Sequence, residues 1–447
     1  MTYSKFSKLT LLSLFLGFGF IACSDSSDDP AVEANFTVTI ENVATVYPLL
    51  KSGVFNTPVG ADAAGPIFPG DAYEFTFTAP VGSKLSLATM FVQSNDWFYA
   101  PGQDGLDLYN SDGSQVTGDV TSAFNLYDAG TEADEEPGTG ANQAPRQGNG
   151  NTGAVDPDNT VRAVTAMGIP ADEDVIRVTL TSMSATGFRV RIENVSTTAT
   201  LQTSTGTVPV PLAPGGWAVH AASETAVLFE VGQPDYGNGL EGVAEDGSLG
   251  AMETSLTAST GLTTPLAPGV FAAYNGANPF FTSGSASNNG LEGVAEDGST
   301  DELATSVAAF DGVRESGVFA QPVGASANGP LLPGNSYSFS FTAQEGDLLN
   351  FATMFVQSND LFYAATGNGI TLFQNGTPIS GDYTSSVTLW DAGTEENEEP
   401  GVGPNQVTRQ GGSNIGPADS NTSVRVVSDN YTYPGTSSIL RLTISAN

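Results

Sequence analysis

The sequence predicts an all-β protein of two tandem antiparallel β-sandwich domains, on the strength of its strand pattern and its turns. Segments 36–40, 73–78 and 175–180 alternate apolar and polar residues with period two, which is typical of half-buried strands. Gly/Pro turn signals such as 68–71 and 79–82 separate such segments at short intervals. Many short strands without a long amphipathic helical pattern favour an antiparallel sandwich over a helical or α/β fold.

The tandem arrangement is predicted by a repeated pair of signatures. Residues 88–96 read ATMFVQSND, and residues 352–360 read the same letters. Each copy is followed by DAGTE, at 128–132 and at 391–395, and then by EEPG. An apolar strand that ends in an acidic loop, with a second acidic loop further on, therefore occurs twice.

The domain boundaries are predicted from the restart of the strand pattern. Segment 187–195 repeats the pattern of segment 37–43, and a strand-like segment stands directly before it. The predicted domains are therefore 35–184 and 185–447, with almost no linker between them.

The second predicted domain contains an insert, about 196–315, that holds a smaller duplication. GLEGVAEDGS occurs at 239–248 and again at 290–299. The spacing of Leu240, Val243 and Ala244 predicts a short helix with one buried edge, ended by Asp-Gly. The acids in this motif are interpreted either as metal ligands or as part of a turn that stops the helix; they are Glu245, Asp246, Glu296 and Asp297.

An SND triplet at a strand end, followed by DAGT and an acid, resembles the spondin domain, which also occurs in many bacterial secreted proteins. The resemblance covers 52–147 and 316–410. It implies a β-sandwich similar to a C2 domain, one calcium ion per domain and no enzymatic activity.

The resemblance also implies the calcium ligands, which are the Asp of the first loop and both acids of the DAGT loop. Asn95 and Asn359 are possible additional donors, and calcium prefers such oxygen ligands. The family has Asp where this chain has Glu at the end of the DAGT loop. The alternative is a set of exposed acids that separate in solution. The implied ligands are Asp96, Asp128 and Glu132 in the first domain and Asp360, Asp391 and Glu395 in the second.

Composition excludes several classes of function. The chain has 49 Asp and Glu against 13 Lys and Arg, a formal net charge of −36, which repels nucleic acid and anionic lipid. Zinc and copper are disfavoured because the chain has one histidine, His220, and one cysteine, Cys23. We interpret His220 as a partly exposed turn histidine, so a catalytic triad is not supported.

The N-terminus predicts export. Residues 1–23 have two lysines, a short apolar run and small residues before Cys23, which indicates a signal peptide with a lipobox and a lipidated Cys23. Residues 24–34 then form an acidic tether. The predicted location is the outer membrane or cell surface, or the extracellular space. The alternative is ordinary secretion with an unused cysteine.

These features predict a non-enzymatic, calcium-binding, lipid-anchored cell-surface or extracellular binding or adhesion protein. Its partner is an unknown extracellular protein or glycan, without nucleic acid, and the membrane is contacted only through the anchor. A structural envelope or matrix component and a carbohydrate-active enzyme are the alternatives. Of the aromatic residues beside the acidic loops, Phe98 and Phe362 are predicted to be core, and Trp97 is either core or an exposed contact residue.

Overall fold

The computed structural model describes residues 32–447, so the predicted signal peptide, Cys23 and most of the predicted tether lie outside the described residues. The described part is mostly β-structure in antiparallel sheets, which confirms the predicted fold class. Its strands are β1 Glu33–Asn42, β2 Leu49–Phe55, β3 Ala72–Thr78, β4 Ser83–Phe91, β5 Trp97–Pro101, β6 Leu106–Asp107, β7 Gly118–Asp119, β8 Phe124–Asp128, β9 Arg162–Ala163, β10 Ile176–Ser182, β11 Gly187–Asn194, β12 Leu201–Thr203, β13 Gly206–Val208, β14 Leu212–Ala221, β15 Leu266–Tyr274, β16 Val313–Phe319, β17 Ser336–Gln344, β18 Leu348–Phe355, β19 Leu361–Ala365, β20 Ile370–Thr371, β21 Phe373–Gln374, β22 Thr377–Pro378, β23 Gly381–Asp382, β24 Val387–Asp391, β25 Arg425–Val426 and β26 Leu440–Ala446.

The helices are short. None in the part of the chain that the structure describes has the length and apolar character needed to cross a membrane. The α-helices are α1 Leu240–Asp246, α2 Gly250–Ser259, α3 Leu291–Asp297, α4 Asp301–Ala308 and α5 Thr436–Ile439, and short 3-10 helices span Thr121–Ala123, Asp172–Asp174 and Thr384–Ser386.

The strands from β2 to β14, apart from the separate two-stranded sheet β12-β13, form one sandwich, which together with β12, β13, α1 and α2 we call the first unit (residues 49–259). One sheet has the order β3-β11-β10-β7, and the other has the order β2-β14-β4-β5-β8-β9, with β6 paired to β4. The two sheets share one apolar core, in which Phe77 stacks on both Phe188 and Trp217.

The second unit consists of residues 266–446 together with the N-terminal strand, 33–42. Its sheets have the orders β17-β1-β26-β23 and β16-β15-β18-β19-β24-β25, with β20 paired to β18. They too enclose one core, in which Phe271 stacks on Phe339.

The predicted domain boundary between residues 184 and 185 is wrong, because the two similar strands β1 and β11 each join the sheet of the other predicted domain. In β1, Val38 pairs with Phe339 on one side and Ile444 on the other. In β11, Val190 pairs with Phe75 and Leu180 of the first unit. β1 also begins at Glu33, so the predicted tether 24–34 runs into a strand.

The predicted insert, about 196–315, is also not a feature of the second unit alone. Its first half supplies β14, α1 and α2 to the first unit, and its second half supplies β15, α3 and α4 to the second unit. The predicted helices over the GLEGVAED motif are confirmed, with Leu240, Val243 and Ala244 buried. Each ends at a glycine with positive φ, 64° at Gly247 and 67° at Gly298, a conformation that favours glycine.

Candidate metal centre

The first acidic centre lies where the turn after β4 meets the loop after β8. Strand β5 lies between β4 and β8 in the sheet, and Trp97 at its start pairs with Asp128 at the end of β8. Asp96 directly precedes Trp97, so sheet pairing brings the SND and DAGT signatures to one place.

Asp96 is fully buried and has only one satisfied carboxylate oxygen. Its Oδ2 accepts hydrogen bonds from the backbone N–H groups of Thr131 at 2.7 Å and Glu132 at 3.1 Å, and from the Thr131 hydroxyl at 3.1 Å. Its Oδ1 is buried and has no partner among the described residues. Such a group is unfavourable unless a proton or a cation satisfies it.

Two further carboxylates complete a cluster with Asp96. Asp128 and Asp134 each place an oxygen so that the three ligand atoms lie within 4.8 Å of one another. Oxygens bound to one Ca²⁺ at about 2.4 Å cannot be more than about 4.8 Å apart, so this spacing fits a single ion. Asp134 is exposed, and the cluster therefore opens to solvent on that side.

The neighbours of the cluster hold its acids in place. Asp128 Oδ1 accepts the Gly130 N–H at 2.7 Å, and its Oδ2 forms an ion pair with Arg162 at 2.5 Å. Asp134 Oδ1 accepts the indole N–H of Trp97 at 2.8 Å. At Gly130, φ is 71° and a Cβ would lie 2.6 Å from Thr160 O, which explains the glycine of the DAGT motif.

Burial and the negative charge of neighbouring acids both raise the pKa values of the cluster carboxyls. Burial raises the pKa of Asp96 to about 6, against the opposing effect of its hydrogen bonds to Glu132 and Thr131. Burial raises the pKa of Asp128 to about 7, helped by the charges of Asp96 and Asp134 and opposed by Arg162. A divalent cation would remove this repulsion and lower both pKa values.

Glu132 and Asn95 lie beside the cluster rather than in it, so the structure does not gather the predicted ligand set. Glu132 Oε1 accepts the Gly153 N–H at 2.6 Å, and its Oε2 accepts the Asn95 amide at 3.3 Å. The carbonyl oxygen of Asn95 accepts the Glu135 N–H at 3.0 Å. The third carboxylate is Asp134, which sequence reasoning missed.

The second unit repeats this scaffold with one fewer carboxylate. Asp360 Oδ2 accepts the Thr394 N–H at 2.8 Å and the Glu395 N–H at 3.1 Å, and its Oδ1 is again buried without a partner among the described residues. Burial, followed by the charge of Asp360, raises the pKa of Asp391 to about 7. Asn397 stands where the first unit has Asp134, and its amide donates to Asp391 Oδ2 at 2.9 Å.

Glu395 and Asn359 behave like their counterparts in the first unit. Glu395 Oε1 accepts the Gly416 N–H at 2.7 Å, and the carbonyl oxygen of Asn359 accepts the Glu398 N–H at 3.1 Å. Within residues 32–447 the second unit forms no group of three carboxylates with the spacing found around Asp96. The predicted ligands Asp360 and Asp391 therefore lie close together without a third acid.

A glutamate from the helical motif reaches each acidic loop from the other side. Glu245 of α1 is buried, and its Oε1 lies 2.7 Å from the Thr131 hydroxyl oxygen, which lies 3.1 Å from Asp96 Oδ2. Glu296 of α3 occupies the same position in its helix and is also buried. Burial raises the pKa of both carboxyls to about 8. Glu245 therefore contacts the acidic loop through Thr131, which is neither of the two roles predicted for it, metal ligand or part of a helix-stop turn.

The structure corrects the interpretation of His220, which is fully buried in β14 rather than partly exposed in a turn. Its Nε2 lies 3.0 Å from Ser86 Oγ, and its Nδ1 lies 3.1 Å from Ala221 O. Both members of this Ser–His pair are buried, so a substrate has no access to them. Phe98 and Phe362 are core residues as predicted, and Trp97 is also buried.

No protein-family model matches the chain, and no curated protein matches it in sequence.

Proposed function

We propose that the chain is a non-enzymatic, spondin-like, calcium-binding protein of the cell surface or extracellular space that binds a partner protein or glycan. The observation that carries the proposal is the Asp96, Asp128 and Asp134 cluster, together with the unsatisfied buried Oδ1 of Asp96. Hard oxygen donors alone, with no sulfur or imidazole ligand, favour Ca²⁺ over zinc or copper.

The proposed ion takes three side-chain ligands in the first unit, and water or backbone carbonyls complete its shell of six to eight oxygens. In the first unit the three carboxylates, Arg162 and the second acid that pairs with Arg162, Asp156, give a formal charge of −3, which one divalent ion reduces to −1. In the second unit the two carboxylates, Arg425 and its second partner, Asp419, give a formal charge of −2, and the Asn397 amide donates an N–H to Asp391. We therefore expect weaker binding there.

Calcium is expected to stabilise the first unit. A ligand that binds only the folded state adds about 2.7 kcal/mol at a hundred times its Kd. For a unit of this size that raises Tm by about 5–10 °C. Calorimetry of residues 32–447 with calcium, and with magnesium as the control, measures this shift, and magnesium should give less because it requires tighter octahedral geometry.

Asp128→Asn should remove most of the calcium-dependent shift, and the matched variant Asp391→Asn should leave the shift of the first unit intact. A wild-type melt that does not respond to millimolar calcium would contradict the proposal, as would an unchanged response in Asp128→Asn.

The proposed anchor is tested separately. If Cys23 is lipidated, cells fed a labelled lipid analogue should incorporate it into the wild-type chain and not into Cys23→Ala. Label retained by the Cys23→Ala variant would exclude lipidation at this residue and leave the calcium proposal untouched.

A further inference from the structure

A groove with a volume of about 460 Å³ crosses the first unit beside the end of β4. Its walls come from the β2–β3 connection, from residues just after β4, and from the segment that leads into β14. None of the residues of the metal cluster lines it. The groove is therefore a separate feature, and the calcium proposal does not depend on it.

The walls of the groove are apolar. Met90, Val92 and Ala213 form its floor, and Phe68 on the rim is 52% exposed. A ligand with an apolar side chain would cover Phe68 and the floor of the groove and so remove further apolar surface from water.

Prolines make the walls unusual, because proline has no backbone N–H to donate. The carbonyl of Pro209 already accepts the Gln93 amide at 3.2 Å, and the carbonyl of Pro211 accepts the Val92 N–H at 3.2 Å. A peptide bound as an added strand would therefore find few free backbone N–H and C=O groups to pair with. A ligand must bind in the groove mainly through an apolar side chain. The lining prolines are Pro66, Pro145, Pro209, Pro211 and Pro214.

One charged residue, Asp246, lines the groove, and it sets the polarity of the ligand. Its Oδ1 accepts the Gln147 amide at 2.5 Å, and its other oxygen accepts no hydrogen bond from the described residues. The net charge of −36 also repels acidic partners and attracts basic ones. Asp246 thus offers a carboxylate to a cation next to the apolar group that fills the groove, and Arg146, a cation already beside the lining residues, binds Gln93 Oε1 at 3.1 Å.

We propose that this groove docks a segment of a partner protein that carries a large apolar side chain next to a lysine or arginine. The apolar side chain fills the space against Met90 and Phe68, and the basic residue pairs with Asp246. Aromatic residues and arginine are the residues that most often dominate binding energy at interfaces.

The test uses a blocked tryptophan–arginine dipeptide and its tryptophan–glutamate counterpart as probes, with saturation-transfer NMR on residues 32–447. The arginine probe should bind at least fivefold more tightly than the glutamate probe. Phe68→Ser should reduce arginine-probe binding at least fivefold, and Asp246→Asn should remove most of the preference between probes. Equal binding of the two probes, or no binding at millimolar concentration, would overturn the proposal.

Leu332→Ser is the matched control, because Leu332 holds the corresponding position in the second unit and is 51% exposed. It should leave binding of the arginine probe unchanged, and both serine variants should melt like the wild type. Loss of binding in Leu332→Ser would place the probe elsewhere and overturn the assignment. Sedimentation that shows dimers of the wild type and monomers of Phe68→Ser would mean that a second copy, rather than a partner, covers the groove.

Discussion

The two acidic centres share their scaffold and differ in charge. In both, a buried Asp accepts two backbone N–H groups and a threonine hydroxyl from the DAGT loop through one oxygen and leaves the other unsatisfied. Only the first has the third carboxylate, since Asp134 is replaced by Asn397. The backbone geometry of the loop therefore does not depend on that acid, whereas the capacity of the site for a cation does.

A second comparison concerns the strands that close the two units. β1 and β11 have similar sequences and fill the same place in their sheets. β11 is continuous in sequence with the rest of the first unit, whereas β1 is separated from the rest of the second unit by the whole first unit. The following predictions test how far the two units are independent and how far their centres differ.

The largest expected effect comes from placing a charge in a closing strand. Val38→Asp puts a carboxylate in the core of the second unit, where Val38 is fully buried, and should cost that unit about 4 kcal/mol or more. The calorimetric transition of the second unit should be lost while that of the first remains. Val190→Asp is the matched change and should do the reverse, and loss of the same transition in both variants would contradict the observed strand exchange.

The second-largest effect is expected from exchanging the residue types at positions 134 and 397, which removes the third carboxylate from the first centre and adds one to the second. Asp134→Asn should weaken calcium binding in the first unit at least tenfold, which corresponds to about 1.4 kcal/mol. Asn397→Asp should create calcium-dependent stabilisation in the second unit, because it replaces an amide donor with a third carboxylate. Titration calorimetry on each variant gives both the affinity and the number of ions bound. A wild type that binds two ions with equal affinity would remove the distinction between the centres.

The smallest effect concerns pH and should be alike in the two units. The pKa values of Glu245 and Glu296 are raised by burial from an ordinary 4.5 to about 8. The folded state therefore holds protons that the unfolded state releases, and the stability they confer is complete below pH 4.5 and lost as pH rises through 8. Without calcium, Tm should fall by a few degrees between pH 5 and pH 8.

Glu245→Gln and Glu296→Gln should each reduce this pH dependence in their own unit, and the raised pKa values of Asp128 and Asp391 should leave a residual slope. Glutamine retains the shape of the side chain and a hydrogen-bonding group but cannot ionise. The variants therefore separate the effect of ionisation on stability from the effect of side-chain packing. A pH slope that is unchanged in both variants would show that other acids are responsible.

The sequence predicted the features that have a local cause. Alternation of polar and apolar residues identified the strands, and the spacing of Leu240, Val243 and Ala244 identified the short helices. The repeated signatures pointed to Asp96 and Asp128, which the sheet brings together. The helices α2 and α4 were not predicted, because their apolar residues are too few to give a clear helical period.

The alternation of polar and apolar residues does not identify which strands pair with β1 and β11. β1 and β11 have the same alternation and the same buried face, so either satisfies either sheet, and a period of two does not say which sheet a strand joins. Asp134 was missed for a related reason. The predicted ligands were the residues that are the same in both copies of the signature, and position 134 differs between the copies. The difference between Asp134 and Asn397 was the signal that could have identified Asp134 as a ligand.

The position of β1 also fixes an order of events during synthesis. It is made before every other described strand, and its partners β17 and β26 are made roughly 300 and 400 residues later. The first unit is complete once α2 has been made, whereas β1 has no strand partner until β17 has been made and no second partner until β26 has been made. Its ten residues, with Phe36, Val38 and Ile40 on one face, then present two open strand edges until β17 has been made and one until β26 has been made. A chaperone that protects nascent chains would therefore find β1 without its partners for longer than any strand of the first unit.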